Sequence, residues 1–197
     1  MKKTNTFMRI LCLALAMLML FCVVSCEKKD DDNEEPTPPA KTVTVNAPAG
    51  YAVFKNDDIG FAYPEGWTKN DASVVTLLDE TRGNNITVAY EAKTSEYENM
   101  TQAEAEEGIR QIAVAMGGTA SNIVLKKETT QNGLSITKIS YTLAIPTYAL
   151  AIPSVATMNQ VLIATNAGDR TYLITVTEVV ADDDLLTTVL NTLVKAA

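Results

Sequence analysis

Residues 60–67 read GFAYPEGW, and the way this stretch breaks in two decides the fold. Ile59 to Tyr63 is apolar and aromatic, the composition of a half-buried strand. Pro64-Glu65-Gly66-Trp67 ends it, with proline suited to the second position of a turn and Gly66 to a positive φ. Upstream, Tyr51 to Phe54 faces this strand across Asn56-Asp57-Asp58, which predicts a hairpin. Further upstream, Thr42-Val43-Thr44-Val45 alternates with period two and predicts a first strand before the break at Pro48-Ala49-Gly50. Downstream, strands are predicted at Val74–Leu78 and Ile86–Tyr90, where Ile86, Val88 and Tyr90 share one face.

The period changes at Thr101–Met116. Thr101 and Glu104 form a capping box, and Ala105, Ile109, Ile112, Ala113 and Met116 recur at helical spacing until Gly117-Gly118. Strands resume at Ile123–Glu128 and Leu134–Leu143 around Asn132-Gly133, a strong short hairpin signal. Another pair, Met158–Thr165 and Thr171–Val179, flanks the turn residues Asn166 to Arg170. A last helix is expected to start near Asp182-Asp183-Asp184, where acids favour the helix dipole. Its apolar stripe is Leu185, Leu186, Val189, Leu190, Leu193 and Val194. Meandering antiparallel strands with two amphipathic helices read as α+β.

The order of these signals resembles PsbP-like domains and the related DcrB-like bacterial lipoproteins. Gly60-Phe61-Ala62-Tyr63-Pro64-Glu65-Gly66-Trp67 is similar to their opening motif, and the match runs from about residue 50 to 195. The acidic helix Glu104 to Glu107, Asn132-Gly133, Ile139-Ser-Tyr141 and Tyr172 to Val176 follow in family order. The resemblance implies an α/β/α sandwich with a central antiparallel sheet, used mostly as a binding or assembly module. The photosynthetic members retain metal and chloride partly through histidines. This chain has none, so that activity does not carry over.

The first residues set location. Lys2, Lys3 and Arg9 precede an apolar run from Ile10 to Val24, shorter than the roughly 20 residues of a spanning helix. Val23-Val24-Ser25-Cys26 resembles the lipobox of bacterial lipoproteins, which implies cleavage after residue 25 and acyl chains on Cys26. Ordinary secretory cleavage is the alternative. Cys12 and Cys22 leave with the signal, so no disulfide framework or thiolate metal pair remains. Residues 27–40, EKKDDDNEEPTPPA, cannot form a core and predict a solvated tether. Cysteine, lysines and then acids also resemble a signal for display on the cell exterior, with the periplasmic face as the alternative. The expected organisation is signal 1–25, tether 26–41 and one domain at 42–197. Of 16 basic and 24 acidic residues, the signal holds only three basic ones, so the remainder carries −11. Such a charge disfavours nucleic acid and anionic headgroups.

Chemistry is sparse. Without histidine, Ser-His-Asp and Cys-His arrangements are excluded, as is the usual zinc site. Phosphate-cradling glycine motifs are absent. A carboxylate pair could be drawn from Asp57, Asp58, Glu65, Asp71, Asp79 and Glu80, but each sits beside a predicted turn, where solvated acids are the default. Asp182 to Asp184 lack calcium-loop spacing and suit helix capping better. Trp67 is either a stacking platform or, favoured by the resemblance, a core plug. Leu143-Ala-Ile-Pro146-Thr-Tyr-Ala-Leu150-Ala-Ile-Pro153 repeats Leu-Ala-Ile-Pro and is expected to be an apolar loop, since two prolines oppose a central strand. It either packs back or offers Tyr148, Leu150 and Ile152 to a partner. The expectation is a non-enzymatic outer-membrane lipoprotein, held by acyl chains, that binds an envelope protein or ligand without a cofactor or metal. Alternatives are a carrier of a small apolar ligand and a carboxylate-dependent hydrolase of envelope or extracellular polymers.

Overall fold

The structure, a computed structural model, describes residues 42–149 and 152–197. Cys26, the signal and tether regions, and Leu150 lie outside the described residues, as do the side chains of Tyr148 and Ile152.

Strands β1 (Tyr51–Lys55) and β2 (Ile59–Pro64) form the predicted hairpin, with Phe54 opposite Phe61 and their rings stacked at 4.9 Å. Gly66 turns the chain at φ 83°. Two of these glycines act in different ways. Gly66 supplies an angle, whereas Gly60 supplies room: a Cβ there would lie 2.6 Å from Val45 and 2.7 Å from Val43. The segment expected to be a strand at Thr42–Val45 therefore packs on β2 at Gly60 without joining a sheet. Its alternation reflects packing of valines on a glycine.

A seven-stranded antiparallel sheet follows. It contains β3 (Thr68–Asp71), β4 (Val75–Leu78), β5 (Asn85–Ala92), β6 (Thr119–Thr129), β7 (Ser135–Ala149), β8 (Ile152–Ala167) and β9 (Arg170–Glu178). The spatial order is β3-β4-β5-β9-β8-β7-β6. A two-residue β10 (Val194–Lys195) adds to β2. Helices are α1 (Glu96–Asn99), α2 (Gln102–Ala115) and α3 (Leu185–Thr192). The class is α+β.

Period two puts alternate residues of β9 into two different cores. Tyr172, Ile174 and Val176 join Ile163, Phe61, Leu185, Val189 and Leu193 on one face. Leu173 joins Ala164, Ile139, Ile109 and Ile112 on the other. Thus α3 and the small sheet cover one side, and α1 with α2 covers the other.

The predicted capping box at Thr101 and Glu104 is formed, and Ala105, Ile109, Ile112 and Ala113 are buried. Gln102, in the first turn of α2, has a further role. Its amide nitrogen donates to Ile123 O and its amide oxygen accepts from Leu125 N, both at 2.8 Å. A side chain thereby occupies backbone groups on the outer edge of β6. At the other end of α2, a Cβ on Gly118 would meet Ala144 O at 2.3 Å, so helix and sheet touch backbone to backbone.

The expected loop is corrected: residues 143–149 and 152–153 lie in paired strands. β7 and β8 pair in one register from Ile136↔Thr165 to Ala149↔Ile152. In an antiparallel ladder, pairs that exchange hydrogen bonds alternate with pairs that do not. Pro146 faces Val155 and Pro153 faces Tyr148, two residues apart, so both prolines fall on the same alternate set. That register leaves each missing N–H pointing away from the partner strand. No third strand needs it there: β6 pairs with β7 only as far as Ala144, and β9 with β8 only as far as Asn159. Residues 145–149 and 152–158 therefore pair only with one another, as a ribbon beyond the sheet.

The expected capping by Asp182 to Asp184 is also corrected. Asp184 occupies the N-cap of α3 but makes no side-chain cap bond. Asp182 instead accepts from Asp184 N at 3.3 Å and pairs with Arg82 at 3.4 Å.

Candidate functional site

The six acids considered from sequence are not gathered into one cleft. Asp79 Oδ1 accepts from Thr81 N and Arg82 N, closing its own turn. Glu80 accepts from the Thr68 hydroxyl at 2.8 Å, and Asp71 pairs with Lys69 at 3.0 Å. Asp57 and Glu65 are exposed in turns. Asp58 differs, with only 6% of its surface exposed.

Local sequence explains how Asp58 gets there. Asn56 Oδ1 accepts from Asp58 N at 3.0 Å and Ile59 N at 2.9 Å, an Asx turn that aims the next side chain inward. The β8–β9 turn closes over it. Gly168 has φ 58°, and a Cβ there would lie 2.6 Å from Asp58 Oδ1. Tyr172 Oη donates to Asp58 Oδ2 at 2.8 Å, and Ala196 N donates to Asp58 O at 2.7 Å. One residue thus ties the first hairpin, the end of the large sheet and residue 196 together.

The cluster continues to the surface. Arg170 Nη1 lies 4.0 Å from Asp58 Oδ2, and its Nε lies 3.9 Å from Asp169 Oδ1. Both distances exceed the hydrogen-bond range of about 2.7 to 3.2 Å. Its guanidinium sits 4.4 Å over the ring of Tyr90, which packs against Tyr172 at 5.8 Å. The register Tyr90↔Tyr172 and Ala92↔Arg170 sets this stack. Sequence alternation marks Tyr90 and Tyr172 as strand residues but carries no sign of their partners.

Burial first, and donation to the Asp58 carboxylate second, push the Tyr172 hydroxyl up to about 12. A phenol whose folded pKa exceeds its unfolded value of about 10 keeps its proton when the unfolded chain loses it. The linked stability is fully present below about pH 10 and is lost as pH rises toward 12. Urea unfolding across this range is expected to show stability falling with pH, with a shallower fall in Tyr172→Phe. Burial also raises Tyr141, so the variant is expected to keep part of the slope. An unchanged slope would mean that Tyr172 does not contribute.

A cleft of about 290 Å³ lies at the same end of the sheet, beside α1. Its walls bond mainly to each other. Thr137 donates to Tyr97 O at 3.0 Å, Thr171 donates to Asn166 Oδ1 at 2.5 Å, and Asn166 Nδ2 donates to Thr94 O and Glu98. These bonds fasten α1 to the sheet. Asn84, fully buried, does similar work at the other end. It accepts from Val179 N and Val180 N and donates to Val180 O. The sequence shows only a Gly-Asn-Asn turn there. Trp67 is partly buried against the main core, as the plug reading expects. Among the described residues, no group of three or more acids or cysteines is placed to hold a metal.

No family model matches the chain, and no curated protein matches it. A solved structure from Bacteroides thetaiotaomicron VPI-5482 aligns at 10% identity with a TM-score of 0.41. The alignment covers 71% of this chain and 45% of that one, so the chain spans less than half of that protein's length.

Proposed function

We propose that the chain is a lipid-anchored, non-enzymatic binding or assembly module of the bacterial envelope, with a domain of PsbP-like type. Cys26 carries the acyl chains, residues 26–41 form the tether, and the outer membrane holds the anchor with the domain facing the cell exterior. Helices on both faces of an antiparallel sheet support the family reading. The observation that carries the functional reading is the β7–β8 ribbon. Residues 139–168 contain no charged side chain, although 20% of the chain is charged. An isolated two-stranded ribbon is at best marginally stable in water, so a partner's surface would stabilise it. Open strand edges are not tolerated in hydrocarbon, which favours protein over lipid as that surface. The carrier alternative has less support, because the cleft beside α1 lies at the opposite end of the sheet from the ribbon.

Two variants test this reading. Cys26→Ala is expected to move the chain from the membrane fraction to the soluble fraction. Replacing residues 145–156 by a two-residue turn between Ala144 and Thr157, which pair across the ribbon, should leave the urea midpoint in place. It should also remove proteins crosslinked to the acylated chain in intact cells. Crosslinks that survive loss of the ribbon would overturn the contact. Turnover of an envelope polymer by the purified chain would overturn the non-enzymatic reading.

A further inference from the structure

The rim around Tyr90 and Arg170 lies far from the ribbon and stands independently of it. Tyr90 is 54% exposed, although it belongs to the face of β5 that otherwise builds the main core. Strand β4 ends its pairing at Val75↔Val88, so residue 90 has no β4 residue beside it. Arg170 sits over this ring at 4.4 Å and also interacts with the Tyr172 hydroxyl, while its nitrogens stay 4.0 Å from Asp58 and 3.9 Å from Asp169, so part of its donor fork is open. Stacking orients a guanidinium and leaves its donor fork usable. Asp169, with 93% of its side chain exposed, lies beside it and offers only acceptors.

We propose that Tyr90, Arg170 and Asp169 form a binding site for a neutral saccharide unit. The part of the Tyr90 ring that Arg170 and Tyr172 leave exposed offers an apolar surface to the C–H groups of a pyranose, while hydroxyl groups need donors and acceptors side by side. Arg170 and Asp169 supply one of each. An anionic ligand fits worse, because Asp58 and Asp169 already lie within 4.0 Å of the guanidinium and the whole chain carries −8. The exposed position near the end of β5 suits one unit of a longer polymer.

Affinity electrophoresis of the full chain in neutral detergent tests the site, with dextran and soluble starch as neutral probes and polygalacturonate as the anionic one. A neutral probe is expected to retard the chain, and Tyr90→Ala and Arg170→Ala should each weaken retardation roughly tenfold. Tyr90→Ala, at an exposed position, should leave the thermal midpoint nearly in place. Should Arg170→Ala unfold the chain, Arg170→Lys keeps the charge without the planar fork and is expected to bind less. Failure of both neutral probes overturns the proposal. Retardation by polygalacturonate alone, or equal retardation of Tyr90→Ala, overturns it as well.

Discussion

Replacing Gly118 with valine is expected to destabilise the domain by about 3 kcal/mol, the upper part of the range for overpacking. The obstacle is backbone. The first added carbon would sit 2.3 Å from Ala144 O and 3.2 Å from Ile145 Cα. A flexible side chain could rotate away, but a strand carbonyl moves only with its strand. Gly108 provides the internal control. It lies in the interior of α2 with nothing within 4 Å of its added carbon, so Gly108→Ala should stabilise by about 0.5 to 1 kcal/mol. Urea midpoints of the two variants should shift in opposite directions. A neutral Gly118→Val would show that α2 does not rest on β7 as described. Because the contact lies where the ribbon leaves the sheet, amide exchange in residues 145–149 should also accelerate in the valine variant.

The second large effect is expected at Asp58. Removing Asp58 leaves the buried Tyr172 hydroxyl without its acceptor, at a cost of about 3 kcal/mol, the upper end for an unsatisfied buried group. In Asp58→Ala the Tyr172 hydroxyl loses the acceptor it holds at 2.8 Å, while Arg170 loses its inner carboxylate. Tyr172→Phe should cost less, about 1 to 3 kcal/mol, because the carboxylate keeps Arg170 nearby. Combining the two should give less than the sum, since both act on one interaction. Equal losses in the two single variants, or simple additivity, would place the stabilisation elsewhere.

Much of the fold follows from local pattern. The GFAYPEGW stretch predicts strand and turn because Phe61 must be buried and Gly66 must adopt a positive φ. The helix at 102–115 announces itself through its capping box and its apolar spacing. What escaped the pattern depends on partners distant in sequence. Thr42–Val45 alternates like a strand, yet its valines serve the bare surface of Gly60. Pro146 and Pro153 look like strand breakers until the register shows both facing outward, where no neighbour asks for a donor. β3, with four exposed residues, has no apolar pattern to find. Asp58 was visible as an acid beside a turn. Its burial was not, because Gly168 and Tyr172 lie more than a hundred residues away. Tyr90 shares the alternating face of Ile86 and Val88, yet it lies beyond the last residue that β4 pairs and is exposed.

One arrangement bears on how far this domain can act from its point of attachment. Ala197 N lies 3.4 Å from Thr42 O, and Asp58 joins that corner to Gly168. The ribbon leaves the opposite end of β8, sixteen residues long, or roughly 50 Å at the usual rise per strand residue. A tether of sixteen residues extends to at most roughly 55 Å. Were the proposed anchor at Cys26 to hold the chain, the domain would work like a jointed boom: the rim at Tyr90 and Arg170 would swing near the hinge, and the ribbon would sweep a radius about twice as large. Shortening the tether would therefore cost the rim a larger share of its range than the ribbon.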